Sequence, residues 1–208
     1  MTIQKALFRQ VMGRFTTGVT VTTTSNNGFL AGLTVNSFCS VSLNPPLVLV
    51  CIDLKSTTLE HFRDSKILAV NILTEKQEQW SRGFATNSPE RFENFCNAPY
   101  HTAATGAPII DNVLAFIDAR IIAEYPGGDH VIFIAQVEAL GMTDQAAFID
   151  DEGQVQAEIP SFAGDNEGEE SNPLLYYAGQ YRHLTQFFHD PSLLKTQEII
   201  IEEPAKSK

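Results

Sequence analysis

Apolar and polar positions change period several times along the chain. Ile3, Leu7, Val11 and Phe15, with Phe8 and Met12 beside them, recur at helical spacing; they predict a first helix with Thr2 available as its cap and Gly18 past its end. Val19 to Thr24 is rich in β-branched residues and stops at Asn26-Asn27-Gly28 before a second run opens at Phe29, which is a hairpin pattern. The run from Phe29 to Ser42 is long for one strand, and Gly32 within it predicts a bulge or a close approach by another part of the chain. Leu47 to Ile52 is unbroken apolar sequence behind Asn44-Pro45-Pro46, the pattern of a strand buried on both faces.

Thr57 and Glu60 have capping-box spacing, so a helix is expected over 57–65. Ile67 to Leu73 reads as a further buried strand, closed by Thr74, which has the same spacing to Gln77 and starts a helix through Trp80 to about Phe84. Ser88-Pro89 places a cap residue and a proline at the start of another short helix or turn. After a loop-rich section to Asp111, Val113 to Glu124 and His130 to Leu140 form paired strands around Tyr125-Pro126-Gly127-Gly128-Asp129. Pro173 to Tyr181 returns to packed character, Phe187 and Phe188 are available to dock on a partner, and Glu202 to Lys208 reads as a frayed end. Many strands, few helices and no βαβ alternation predict a mainly β fold, an antiparallel barrel with peripheral helices. At 208 residues and 43% hydrophobic, one domain with one core is expected.

Charge changes this picture in one place. Of the formal net charge of −11, nine acidic residues and no Lys or Arg fall between Asp144 and Asn172, which marks 144–172 as an exposed acidic insert in a nearly neutral body. No basic stripe offers itself to nucleic acid. Cys39, Cys51 and Cys96 are odd in number and lack CxxC or Cys/His spacing, which argues against a disulfide framework or a structural zinc site and fits a reducing, cytoplasmic setting. The first residues lack a signal-peptide apolar run, and no stretch approaches the ~20 apolar residues of a membrane span.

No GxSxG, HExxH, P-loop or GxGxxG occurs in a convincing context, so nucleophile, metal and Rossmann readings lack support. Polar residues sit instead where a core strand should have none. Thr34, Asn36 and Ser37 interrupt an apolar run and need partners, either backbone or the polar edge of a flat heteroaromatic ligand. Lys55, Ser56 and Thr57 follow a strand and precede a helix, which is either an ordinary cap or an anion site, most naturally for phosphate. Cys51 and Asp53 lie between these two places. His130 opens an apolar strand directly after a Gly-Gly-Asp turn, in either a structural or a functional role.

Read in order, RFTTGVTVTTT, AGLTVNSFCSVSLNPPLVLVCID, KSTTLEHF, ILAVNIL, SRGFA, ERF, GDHVIFIAQVE and PLLYYAGQYRHL resemble the flavin reductase-like, FMN-binding split-barrel family, over about residues 5–184. The resemblance implies a six-stranded antiparallel Greek-key split β-barrel over 1–184, with 185–208 as a C-terminal extension. It implies a homodimer with flavin near the subunit boundary and NADH or NADPH laid over the isoalloxazine ring. Carried over by position, Thr34, Val35, Asn36, Ser37, Cys51 and Asp53 would meet the flavin; Lys55, Ser56 and Thr57 would take its phosphate; Ser81 and Phe84 would close the pocket. His130 matches the residue placed at the nicotinamide. The acidic insert and the extension depart from the family pattern.

The function so implied is hydride transfer from NAD(P)H to FMN or FAD, with reduced flavin supplied to a separate monooxygenase. Such chemistry needs no catalytic triad, because the cofactors carry the reaction and the protein supplies orientation and polar contacts. The same barrel also suits an oxidase with tightly bound FMN or a flavin-binding protein without turnover.

Overall fold

A computed structural model of the chain describes residues 3–86, 91, 95–142, 145–149, 155–157 and 172–184. Helix α1 is Lys5–Met12. It starts at Gln4 without a side-chain cap and stops at Gly13, whose N–H donates to the Arg9 carbonyl at 2.8 Å; Gly18, expected past its end, belongs instead to strand β1, Thr17–Gly18, and Thr2 lies outside the described residues. The apolar face of α1 is exposed, with Leu7 at 54% and Val11 at 61%.

Strands β2, Thr20–Asn26, and β3, Phe29–Val35, form the expected hairpin. Asn27 and Gly28 both have positive φ, 51° and 82°, the conformation that lets a two-residue turn follow the twist of its strands. The long run after Phe29 is two strands, because the chain breaks at Asn36-Ser37 before β4, Phe38–Leu43. Gly32 supplies the close approach: a Cβ there would lie 2.9 Å from Cε1 of Phe84. Strand β5, Pro46–Asp53, pairs with β4. Its burial corrects the expectation of two covered faces: Val48, Val50 and Ile52 are buried, while Leu47, Leu49 and Cys51 on the other side are half-buried. The sheet is antiparallel, and only its inner face meets the core.

Helix α2 is Leu59–Ser65, shorter than expected and capped at Thr58. The Thr57/Glu60 box does not form; Arg91 donates to the Thr57 hydroxyl. After β6, Ile67–Ile72, the Thr74/Gln77 box does form, with Thr74 N–H donating to the Gln77 side chain at 3.1 Å, and a 3-10 turn leads into helix α3, Glu78–Ala85. The helix start expected at Ser88-Pro89 lies outside the described residues. The section expected to be loop holds a small hairpin, β7 (Tyr100–Thr102) with β8 (Pro108–Ile110). Strands β9, Ala115–Gly127, and β10, His130–Met142, extend past their predicted ends and leave only Gly128-Asp129 as the turn. Part of the acidic insert continues the sheet as β11, Gln145–Ile149, and β12, Val155–Ala157; the rest, and the extension 185–208, lie outside the described residues. Strands β13, Leu175–Tyr177, and β14, Gln180–Arg182, form a C-terminal hairpin joined to β1.

The fold is mainly β and antiparallel, with few helices. Six strands run in the order β3-β2-β6-β9-β10-β5, with β4 beyond β5 and β11-β12 beyond β10. Strands β3 and β5 share no ladder in this sheet. The turn Asn36-Ser37 bridges them, with Cys51 N–H donating to the Ser37 carbonyl at 3.2 Å. One side of the core, around Val50, Phe62, Leu68 and Phe133, packs beneath α2; the other, around Val21, Phe84, Phe95 and Ile109, packs beneath α3.

Asp118 on β9 is fully buried and ties the loop before β8 to the sheet, accepting from Thr105 N–H at 2.8 Å and from the Thr105 hydroxyl. Burial pushes its carboxyl above the usual range, and the Thr105 hydrogen bonds pull it back part of the way. The folded chain therefore holds this proton to higher pH than the unfolded chain, whose Asp titrates near about 3.9. The stability linked to it is complete below that value and is lost as pH rises through the folded-state value. In Asp118→Asn, the fall in melting temperature that sets in as pH rises above about 3.9 is expected to shrink.

Candidate functional site

The break between β3 and β4 and the exit from β5 put the polar residues of two distant segments along one line. The Ser37 hydroxyl donates to the Cys51 carbonyl at 2.7 Å, so the Asn36-Ser37 turn is clamped onto β5 two residues before Asp53. Asp53 is exposed at the end of β5, where its carboxylate accepts from Lys55 N–H at 2.8 Å and folds the chain back toward α2. Lys55, Ser56 and Thr57 then border a cavity of about 240 Å3 together with Asp53 and Arg91. Ser56 and Thr58 share a hydroxyl hydrogen bond of 2.8 Å.

Arg91 is the functional candidate that sequence reasoning passed over. It is 5% exposed. One terminal nitrogen donates to the carbonyls of Phe84 and Thr86, at 3.2 and 3.1 Å, and the other to the Thr57 hydroxyl at 2.9 Å. Burial lowers its pKa from the usual guanidinium value, but a guanidinium remains charged at any physiological pH. Two cations thus border one small polar cavity. The signal was the arginine of ERF, which no periodicity singles out, because its contact to Thr57 spans 34 residues.

At the other end, Thr34, Val35 and Asn36 border a cavity of about 220 Å3 with Ala85, Tyr176 and Tyr181. Asn36 and Ser37 also face a larger cavity, about 570 Å3, beneath α1. The Thr34 hydroxyl donates to the Ser81 carbonyl at 2.6 Å. Ser81 is wholly buried, and its hydroxyl meets the Tyr181 hydroxyl at 2.7 Å. Phe84, expected to close the pocket, is wholly buried in the core behind Gly32 and borders neither cavity; its neighbour Ala85 is the one that does. Cys51 is half-buried, and burial raises its thiol pKa.

His130 stands at the start of β10, opposite Asp53 of β5 and Gly127 of β9. Its Nδ1 lies 2.7 Å from Asp129 Oδ1, and this hydrogen bond holds the Asp129 carboxyl below its usual range. The imidazole is partly exposed and does not border the cavity around Lys55, Ser56 and Thr57. Among the described residues no helix is long and apolar enough to cross a membrane, and Cys39, Cys51 and Cys96 are free thiols.

The fold that carries these residues recurs in known proteins. The chain is 33% identical over 179 residues to the reductase subunit HsaB of a flavin-dependent monooxygenase from Mycobacterium tuberculosis, covering 86% of this chain and 82% of that one. Among solved structures it is similar to the flavin reductase PheA2 (TM-score 0.70, 35% identity, 88% of this chain and all of that one). It is also similar to the NADH:FAD oxidoreductase SgcE6 of Streptomyces globisporus in complex with NAD and FAD fragments (TM-score 0.69, 29% identity, 88% and 94%). The model of the flavin reductase like domain matches residues 12–185, from the end of α1 to just past the C-terminal hairpin, and the chain belongs to that family.

Proposed function

We propose that this protein is an NAD(P)H-dependent flavin reductase that passes hydride from NADH or NADPH to FMN or FAD and supplies reduced flavin to a separate flavin-dependent monooxygenase. The reading rests on the opposite hydrogen-bonding character of the two ends of the polar line. The hydroxyl hydrogens of Thr34 and Ser37 are committed to the carbonyls of Ser81 and Cys51, so toward a ligand these residues offer lone pairs. Lys55 and Arg91 at the other end only donate, and the Asp53 carboxylate beside them accepts from Lys55 N–H. A ligand with N–H and O–H groups at one end and an anion at the other satisfies both, and a flavin with its imide, ribityl hydroxyls and phosphate is such a ligand.

The bound flavin supplies the hydride-accepting ring. The chain's residues orient it: Thr34, Val35, Asn36 and Ser37 along the ring and ribityl edge, Cys51 and Asp53 beneath, and Lys55, Ser56, Thr57 and Arg91 at the phosphate. Ser81 acts through Thr34, and Phe84 supports β3 from behind. His130 is assigned to the nicotinamide. The names borne by HsaB and PheA2 support the same activity and the monooxygenase partner; free cysteines suit a cytoplasmic setting. Anaerobic addition of NADH or NADPH to the protein with FMN or FAD is expected to bleach the flavin absorbance at a rate proportional to enzyme. Bleaching no faster than without protein would overturn the assignment.

We also infer a homodimer. The row Leu7, Phe8, Val11 and Met12 on α1 is more than half exposed in the single chain, and a contiguous apolar helix face of that kind marks an interaction surface. In sedimentation at micromolar concentration the flavin-loaded protein is expected to run as a dimer, and Val11→Glu to shift it toward monomer.

A further inference from the structure

We propose that the C-terminal hairpin is a wall of the flavin site and that Tyr181 is a positioning residue for the flavin, acting through Ser81 on the hydroxyl of Thr34. This rests on the reading that the Thr34 to Ser37 edge holds flavin. Ser81 is gripped from two sides. Its side chain shares a 2.7 Å hydrogen bond with Tyr181, and its carbonyl takes the Thr34 hydroxyl hydrogen at 2.6 Å. Ser81 is on α3 and wholly buried, while its partners Thr34 and Tyr181 are half-buried.

The Tyr181 ring is fixed in turn. The Arg82 guanidinium carbon lies 4.7 Å from its ring centre, and Tyr176 meets it edge-on at 5.6 Å between centroids. Both tyrosines come from the hairpin of β13 and β14, which is tied to β1 by its ladder and to the end of α1 by Ala178 N–H donating to the Gly13 carbonyl at 2.8 Å. The same tyrosines border the cavity of about 220 Å3 whose remaining wall includes Thr34, Val35 and Asn36. The polar member of that wall nearest the relay is Thr34, and the relay decides which way its hydroxyl points. With its hydrogen held by Ser81, Thr34 presents an acceptor to the cavity, so an N–H or O–H of the flavin is recognised there. Were Ser81 free to shift, Thr34 would also sample the donor orientation, and part of the binding free energy would go to reordering it.

Tyr181→Phe keeps the ring, the Arg82 contact and the packing, and removes the hydroxyl. Binding of FMN to the full-length apoprotein, followed by quenching of flavin fluorescence, is expected to weaken about fivefold in Tyr181→Phe and about tenfold in Thr34→Val, the size of one hydrogen bond lost or loosened. The double variant is expected to bind no more weakly than Thr34→Val alone, because both changes act on one contact. KM for the nicotinamide nucleotide should be unchanged in Tyr181→Phe, with a modest fall in melting temperature because the buried Ser81 hydroxyl loses its partner. If Thr34→Val binds FMN normally, the flavin lies elsewhere and both the site and the relay fall. If Thr34→Val weakens binding but Tyr181→Phe does not, or lowers only the melting temperature, the site stands and the relay is wrong. Losses that multiply in the double variant would likewise overturn the relay.

Discussion

The double variant Ser56→Ala/Thr57→Ala is expected to bind FMN at least about tenfold more weakly while riboflavin, which lacks the phosphate, binds almost as before, since each hydrogen bond to a charged group contributes about 1.5–3 kcal/mol before water replaces part of it. The two hydroxyls stand with Lys55, Asp53 and Arg91 around one cavity of about 240 Å3. Thr57 has a second task there. Its oxygen accepts from Arg91, so its removal also loosens the guanidinium that faces the same space. Arg91→Gln is therefore expected to reproduce the selective loss of FMN over riboflavin, with a fall in stability as well, because the Arg91 bonds to the Phe84 and Thr86 carbonyls go too. Isothermal titration with FMN and riboflavin in parallel separates the two effects. Equal losses for both ligands would place the phosphate elsewhere.

The elements of this fold were legible in the sequence wherever the signal is local. The hairpin at Asn27-Gly28, the Thr74/Gln77 box and the β9–β10 pair are written in adjacent residues, and the structure has them. The misfit of Thr34, Asn36 and Ser37 with their apolar run was legible too, and it marks the place where one long run becomes two strands and bridges β3 to β5. What was not legible depends on contacts distant in sequence. Thr57 and Glu60 have capping spacing, but Arg91, 34 residues on, takes the Thr57 hydroxyl, and the helix starts later. Phe84 reads as a pocket residue by its motif, yet Gly32 leaves room for its ring in the core. Ser81 meets Tyr181 across 100 residues, and nothing in the spacing of either announces the other. The apolar face of α1 is legible as a helix face, but periodicity does not say whether such a face meets its own core or another chain.

His130→Ala is expected to raise KM for NADH or NADPH about three- to tenfold, the size of one lost hydrogen bond, and to leave FMN binding and the melting temperature unchanged. The local geometry sets what the imidazole can offer. Asp129, whose carboxyl is held below its usual range by this contact, is ionised and only accepts, so His130 Nδ1 carries the hydrogen of the 2.7 Å bond. In the neutral ring Nε2 is then an acceptor, suited to the N–H2 of a nicotinamide carboxamide. The backbone of His130 stays in register with Asp53 and Gly127, which fixes where the ring stands without restricting its outer edge. No proton transfer is asked of it; its part is to help hold the hydride donor within the ~3–3.5 Å that transfer needs. Asp129→Asn should then give a smaller loss of the same kind, since an amide at this position can still accept from Nδ1 but no longer as an anion. Stopped-flow flavin reduction at several nucleotide concentrations reads both variants. If His130→Ala reduces flavin at the wild-type rate and affinity, and only melts earlier, the histidine serves the β9–β10 turn and the nicotinamide is held by other groups.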